Sequence, residues 1–335
     1  MKLENVTVII PAHNRPERLQ RLLDYYRGTG IKLLIPDSST LPFTGDVSDP
    51  DVTYRHFPKM HFLLKIKEVM PLIKTDYVLY CADDDFAVPA AIERMAEFLH
   101  DNPDYSVAQG HYLTFVPSGK TARFYPRYIR YFDSRITAAD PLGRLNGQKC
   151  IYASMLYGVT RTDLFRKIYS YCFDAQGAPR FRNLFLAEEF FNNAMLIQGK
   201  YATLPYFFSA REQIKGSATE TTVPIEEVRL SAEYDGYVDA LAEMLHDTAG
   251  LSLDDARAAI RAVCTAPKDA ARVSLKRRIV MAVSRRRWLR PLSALLAARY
   301  NAKGLRIVRD LPSYPCTAPT PETAAILRAI ASTPR

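Results

Sequence analysis

Cysteine is sparse and unpatterned in this chain. Five cysteines (Cys81, Cys150, Cys172, Cys264 and Cys316) are scattered through 335 residues, and no pair has C-x-x-C spacing. Neither a disulfide framework nor a zinc site follows from them, and a reducing compartment is the simpler expectation. Long apolar runs are also missing, so no stretch approaches the length of a membrane span. At the N-terminus, Glu4 and Asn5 interrupt the sequence and Val6 to Ile10 is too short for the apolar core of a signal peptide. A cytoplasmic location is the resulting expectation. Internal repeats are absent. Acidic residues are the minority charge, 36 against 45 basic ones, giving a formal net charge of +9. That balance favours an anionic partner: nucleotide phosphate, nucleic acid or an anionic membrane surface. No helix-turn-helix, zinc or stacking signature supports nucleic acid, so none is expected. Hydrophobic residues make up 48% and charged residues 24% of the chain, as in a folded protein.

What the chain does contain is organised around Tyr77-Val78-Leu79-Tyr80-Cys81-Ala82-Asp83-Asp84-Asp85. The first half reads as a short buried strand. It ends in three adjacent carboxylates, which raise one another's pKa unless a positive charge neutralises them. A divalent cation with hard oxygen ligands, Mg²⁺ or Mn²⁺, answers that need. The carboxyl end of a strand in an open α/β sheet is also where ligands bind. The competing reading is a solvated acidic turn before the helix that follows Pro89.

Val6 to Ile10 reads as the first strand, and a helix opens at Pro16 with Leu19, Leu22, Leu23 and Tyr26 at helical spacing. Ile31 to Pro36 is a second strand delivering Asp37-Ser38-Ser39, and a weaker strand lies near Val52 to Phe57. Phe62 to Ile73 is expected as a helix ended or kinked by Pro71. Ala90 to His100 is a helix and Tyr105 to Phe115 a longer strand. The alternation predicts an open, mainly parallel α/β sheet with helices on both faces. Further on, Ala153 to Thr160 is expected as a strand, Thr162 to Tyr171 as a helix, and Phe185 to Gln198 as a segment leading into a helix. Tyr201 to Phe208 reads as a strand followed by a mobile polar loop, Ser209 to Thr222. From Ile225 onward the pattern is helical, which places a boundary near residue 220: an α/β region over 1–220 and a helical, basic region over 221–335.

The order of these features resembles glycosyltransferases of GT-A fold and family 2 type. Val8-Ile9-Ile10-Pro11-Ala12-His13-Asn14-Arg15 resembles that family's first strand and turn, Asp37-Ser38-Ser39 its second-strand turn, Asp83-Asp84-Asp85 its D-x-D metal motif, and Glu188-Glu189 its acidic base pair. The Cys81-to-Phe86 phrase is similar to a bacterial subgroup. The resemblance covers about two thirds of the chain. It implies a metal-dependent, inverting transfer of a sugar from a nucleoside diphosphate, UDP favoured, to a glycan or lipid-linked hydroxyl acceptor in cell-surface glycan assembly.

The resemblance also implies roles. Asp85 would hold Mn²⁺ or Mg²⁺. Asp83 would accept a ribose hydroxyl or a metal-bound water, and Asp84 would reach the sugar or stand behind the direct metal ligands. Asp37 would accept from base or ribose, with Pro11, Asn14 and Arg15 lining the same pocket. Glu189, then Glu188, would be the general base that takes the acceptor proton. Arg211 and Lys215 would neutralise the diphosphate. Blander readings stand beside these: an Asx turn for Asp37, a surface position for Arg15, and a favourable helix-dipole interaction for both glutamates. His111 on a strand reads as structural, and the aromatic cluster from Tyr112 to Phe132 as core. Sugar-phosphate nucleotidyltransferases are the rival enzyme class, but Pro11 to Arg15 lacks their glycine-rich signature.

From Arg272 to Arg306 the chain carries eleven Lys or Arg and no Asp or Glu, interleaved with Leu275, Ile279, Trp288, Leu292 and Leu296. This stretch alone exceeds the net charge of the whole chain. Such a basic, apolar helical segment lies either on an anionic membrane surface or packed on the catalytic domain. Co-sedimentation with anionic but not neutral vesicles, weakened by salt, is the outcome a membrane role requires. Equal or absent binding removes that role.

Overall fold

A computed structural model describes residues 2–127, 134–148, 154–213, 222–223, 225–265 and 320–333. The basic 272–306 stretch, Lys215 and the 128–132 part of the aromatic cluster lie outside the described residues. Ten strands form one sheet among the described residues. They are β1 (Val6–Ile9), β2 (Lys32–Asp37), β3 (Val52–His56), β4 (Tyr77–Tyr80), β5 (Phe86–Ala87), β6 (Tyr105–Ser118), β7 (Thr121–Arg127), β8 (Arg135–Ile136), β9 (Val159–Arg161) and β10 (Lys200–Glu212). The helices are α1 (Pro16–Tyr26), α2 (Phe62–Val69), α3 (Pro89–Asp101), α4 (Pro141–Gly147), α5 (Thr162–Ser170), α6 (Leu184–Gln198), α7 (Ile225–Val228), α8 (Ala232–Ala249), α9 (Leu253–Thr265) and α10 (Pro321–Ser332).

The strand order is β3-β2-β1-β4-β9-β6-β10-β5, with β7 beside β6 and β8 beside β10. β3, β2, β1 and β4 pair in parallel, as do β6 and β10. β9 is antiparallel to both β4 and β6, so those two share one direction. Six strands therefore run the same way, as in the expected mainly parallel GT-A sheet, and the short β5, β8 and β9 and the hairpin strand β7 oppose them.

Period-2 alternation assigns the two faces. Val6 and Val8 of β1, Leu33 and Ile35 of β2, and Tyr77 and Leu79 of β4 join one core with α1, α3 and α10. Ile9, Leu34 and Val78 turn to the other face, under α2, α5, α6, α8 and α9. The helices beyond residue 220 thus share cores with the sheet. The Phe181 ring packs on Phe190 of α6 and Tyr237 of α8, Phe191 of α6 stacks on Phe165 of α5, and Ile326 and Ile330 of α10 bury against the α1 side. Among the described residues no helix is long and apolar enough to cross a membrane.

Local chemistry sets the element ends. Pro16 occupies the first turn of α1, and Gly28, at φ +73°, ends it in the left-handed region that other residues rarely adopt. Pro71 stops α2 at Val69 and leaves a 3₁₀ turn, Met70–Leu72. Two expectations are corrected. The strand expected over 153–160 is a 3₁₀ turn, Met155–Tyr157, followed by only three residues of β9. The loop expected from Ser209 does not start there: β10 continues to Glu212, because β6 on one side and β5 on the other supply its backbone partners.

Candidate functional site

Parallel strands end on one side of the sheet, so the segments after β1, β2 and β4 converge. Ala12 N–H donates to Pro36 O at 3.2 Å and Ser38 N–H to Ala12 O at 3.0 Å, joining the first two segments. The His13 amide donates to Asp83 Oδ2 at 3.2 Å, joining the third. Pro11 lies at this crossing. Asn14 has φ +52°, a left-handed conformation that Asn tolerates better than most residues. It is held there by its amide donating to Ser39 Oγ (2.7 Å) and its Oδ1 accepting from Thr40 N–H (3.0 Å).

Asp37 is 1% exposed. Its Oδ1 accepts from the Ser39 amide (2.8 Å) and hydroxyl (2.5 Å), and its Oδ2 from the Tyr54 hydroxyl (2.8 Å). The Asx-type turn is therefore present, and it fixes this carboxylate at the strand end. Beneath it, Lys65 from α2 is buried and donates to Ala12 O at 2.7 Å and to Ser38 Oγ at 3.0 Å. Burial lowers the Lys65 ammonium to about 8, with the charges of Asp37 and Asp83 opposing that shift.

The aspartate cluster is neutralised by arginines. Arg15 Nη1 lies 2.9 Å from both Asp83 Oδ1 and Asp84 Oδ2. Arg21, 4% exposed, donates to the Asp84 carbonyl at 2.9 Å and pairs with Glu212 at 2.8 Å. Arg18 adds a second, forked contact to Glu212 at 2.9 and 3.2 Å. Arg211 Nε lies 3.6 Å from Asp85 Oδ2, and Asp85 Oδ1 accepts from the Glu212 amide at 3.0 Å. Burial pushes the Asp83 carboxyl up and Asp84 adds to this, with Arg15 opposing. Burial would also raise Glu212, but the Arg18 hydrogen bonds and the Arg21 charge outweigh it and hold that carboxyl low. Among the described residues, five carboxylates (Asp37, Asp83, Asp84, Asp85, Glu212) thus meet five cations (Arg15, Arg18, Arg21, Lys65, Arg211).

Arg15 is accordingly an ion-paired member of the site and not a plain surface residue. Arg211 is brought to the cluster on a strand and not on a loop. Arg18, Arg21, Lys65, His13 and Glu212 were not expected. Signals for them exist in the sequence: Arg15, the N-cap residue of α1, is followed at three-residue spacing by Arg18 and Arg21 on the helix, and Lys65 interrupts the apolar arc of Leu63, Ile66 and Val69.

The glutamate pair lies on α6. Asn183 caps this helix through the amides of Phe185 and Leu186, and no acidic residue falls in the first turn. Glu188 and Glu189 therefore occupy the second turn, where the dipole has largely faded, so that explanation for them is weakened. Leu186, Phe190 and Phe191 turn into the core. Glu188 Oε1 accepts from the Tyr157 hydroxyl at 2.9 Å, and the Arg211 guanidinium lies 4.2 Å from the Tyr157 ring centroid. Glu189 instead acts electrostatically on Tyr237, on the α8 side. His111 is buried on β6. Among the described residues, no group of three or more His, Cys, Asp and Glu is arranged to hold a metal ion.

Residues 7–156 match the sequence profile described as Glycosyl transferase family 2. Among solved structures, the chain is similar to the crystal structure of S. aureus TarS 1–349 at 14% identity and a TM-score of 0.48, with 85% of this chain and 79% of that one covered. For the same TarS segment in complex with UDP-GlcNAc the values are 14%, 0.49, 83% and 78%. In complex with UDP they are 12%, 0.48, 85% and 78%. No curated protein matches the chain.

Lys65 generates a pH prediction. Below about pH 8 the folded and unfolded chains both hold the Lys65 proton, so the group adds no slope. Between about 8 and 10.5, its ordinary value, the unfolded chain holds a proton that the folded chain has lost, so its contribution to stability rises with pH. Denaturant unfolding of wild type and Lys65→Met should give a free-energy difference, wild type minus variant, that climbs across this window. A flat difference contradicts the burial of a charged Lys65.

Proposed function

We propose, from the premise that residues 7–156 of this glycosyltransferase are a glycosyl transferase family 2 domain, that the enzyme moves a sugar from a nucleoside diphosphate to a hydroxyl acceptor in one inverting displacement. The observation that carries this reading is the balanced cluster at the ends of β1, β2 and β4. A donor diphosphate brings about two negative charges to described side chains whose own charges already cancel. A divalent cation arriving with the donor restores the balance.

The residues present fit such a cation. Mg²⁺ is commonly held by one or two carboxylates together with substrate phosphates, so a ready-made triad of protein ligands is not required. Asp85 would be the protein carboxylate and Asp83 the neighbour that takes a bound water or ribose hydroxyl. When bound, the metal would act as a Lewis acid on the departing diphosphate. Arginines neutralise the aspartates, so the cation would answer the charge of the donor.

The protein groups do the remainder. Arg211 sits beside Asp85, where the diphosphate charge would grow. Asp37, with Asn14 and Arg15 nearby, forms the pocket for base and ribose. Glu188 takes the proton of the acceptor hydroxyl as its oxygen attacks the anomeric carbon, and the nucleoside diphosphate leaves from the opposite face. Glu188 is preferred here over Glu189, the first choice from sequence, because its hydrogen bond to Tyr157 ties it to Arg211.

Two variants test the reading. Asp85→Ala should abolish transfer and Mn²⁺-dependent UDP binding while the circular dichroism spectrum is retained; full activity in EDTA, or in this variant, contradicts the metal role. Glu188→Gln should lower kcat by about a hundredfold or more with little change in donor KM, because base catalysis typically contributes 10²–10⁴. A larger loss in Glu189→Gln would reverse the choice within the pair.

A further inference from the structure

Resting on the glycosyltransferase reading above, we infer that Tyr157 is a positioning residue shared by the two halves of the reaction: its hydroxyl aims the base Glu188, and its ring seats Arg211 beside the diphosphate site. The hydroxyl donates to Glu188 Oε1 at 2.9 Å. The face of the ring lies 4.2 Å from the Arg211 guanidinium carbon, and Tyr112 presents a second ring to the same guanidinium at 5.1 Å. Arg211 Nε reaches toward Asp85 at 3.6 Å. One half-buried tyrosine therefore links Glu188 to the aspartate cluster.

Both rings are held in place. Tyr157 ends the 3₁₀ turn Met155–Tyr157, and the Met155 amide donates to Asn192 Oδ1 at 2.7 Å, one turn beyond Glu188 on α6. The turn is thus pinned to the helix that carries the base at two points. Gly158 lets it press against β6: a Cβ there would fall 2.5 Å from Val107 Cγ2 and 3.1 Å from Ala108 O. Tyr80 meets the Tyr157 ring edge-on at 6.0 Å. On the other side, the Tyr112 hydroxyl donates to Gln109 Oε1, whose amide donates to Tyr201. Burial pushes the Tyr157 hydroxyl far above its ordinary pKa and the Glu188 charge adds to this, with Arg211 opposing, so it stays a donor at every working pH. Its hydrogen bond fixes Oε1, and Oε2 of Glu188 takes the proton. A guanidinium against an aromatic face in a desolvated site is held more firmly than one in water.

The two halves of Tyr157 separate by substitution. Turnover is read as UDP release from the best donor in a panel of UDP-sugars, and donor-site integrity as UDP affinity with Mn²⁺ by calorimetry. Tyr157→Phe keeps the ring and loses the hydroxyl: kcat should fall about tenfold, the scale of one hydrogen bond to a charged group, with UDP affinity unchanged. Tyr157→Leu loses both: UDP affinity should also weaken, by about fivefold. In the double variant Tyr157→Phe/Glu188→Gln, kcat should be no lower than in Glu188→Gln alone, because Tyr157 acts through Glu188. Losses that multiply in the double variant, or unchanged UDP affinity in Tyr157→Leu, overturn the inference and leave Glu188 as base. Full activity in Glu188→Gln overturns the base assignment itself, and this role of Tyr157 with it.

Discussion

Charge balance at the carboxyl end of the sheet is the constraint from which the site follows. Carboxylates held at strand ends under helices lose most of their water, and a desolvated charge persists only with partners and hydrogen bonds. The chain supplies these from three places: Arg15, Arg18 and Arg21 from the start of α1, Lys65 from α2, and Arg211 from the end of β10. Removing one member of a buried pair typically costs about 3–5 kcal/mol because the other is left uncompensated. The topology is what allows such a network. Parallel β1, β2 and β4 bring three loops to one edge, and β10 reaches the same edge because it runs on past the point where the sequence pattern turns polar.

A balanced site responds sharply to a charged ligand. At 4 Å, two unit charges interact by about 4 kcal/mol in surroundings of intermediate polarity. A diphosphate entering without a counter-charge meets Asp83, Asp84 and Asp85 at close range. Entering with a divalent cation, it leaves the arginine–carboxylate pairs undisturbed. Under the proposed function, the site would therefore have a physical reason to bind donor and cation together. Glu188 on α6 is joined to Arg211 through Tyr157, so the proposed base and the proposed diphosphate contact would share one support.

Much of this was legible in the sequence because it is written in local patterns. The apolar runs of β1, β2 and β4, the Pro at the start of α1 and the Asp83–Asp85 cluster each announce themselves within a few residues. Less legible was everything that depends on pairing between distant segments. Arg18 and Arg21 look like an ordinary charged helix face until Glu212, some 190 residues away, completes them. Ser209 to Glu212 reads as loop because its residues are polar, yet β5 and β6 draw it into the sheet. The glutamates read as a helix start because Asn183, the cap, lies five residues before Glu188. Tyr157 gave no signal, since its importance comes from one hydroxyl contact and one ring contact to residues that are remote in sequence.

The central claim is that the cation serves the donor and not the empty aspartate cluster. Calorimetric titration of the wild-type protein tests it directly, with Mn²⁺ alone, UDP alone, and UDP in the presence of saturating Mn²⁺. The account predicts weak binding of each alone and markedly tighter binding of the two together, a positive coupling that must be reciprocal. Tight Mn²⁺ binding without UDP, or UDP binding that is unchanged by the cation, would contradict it.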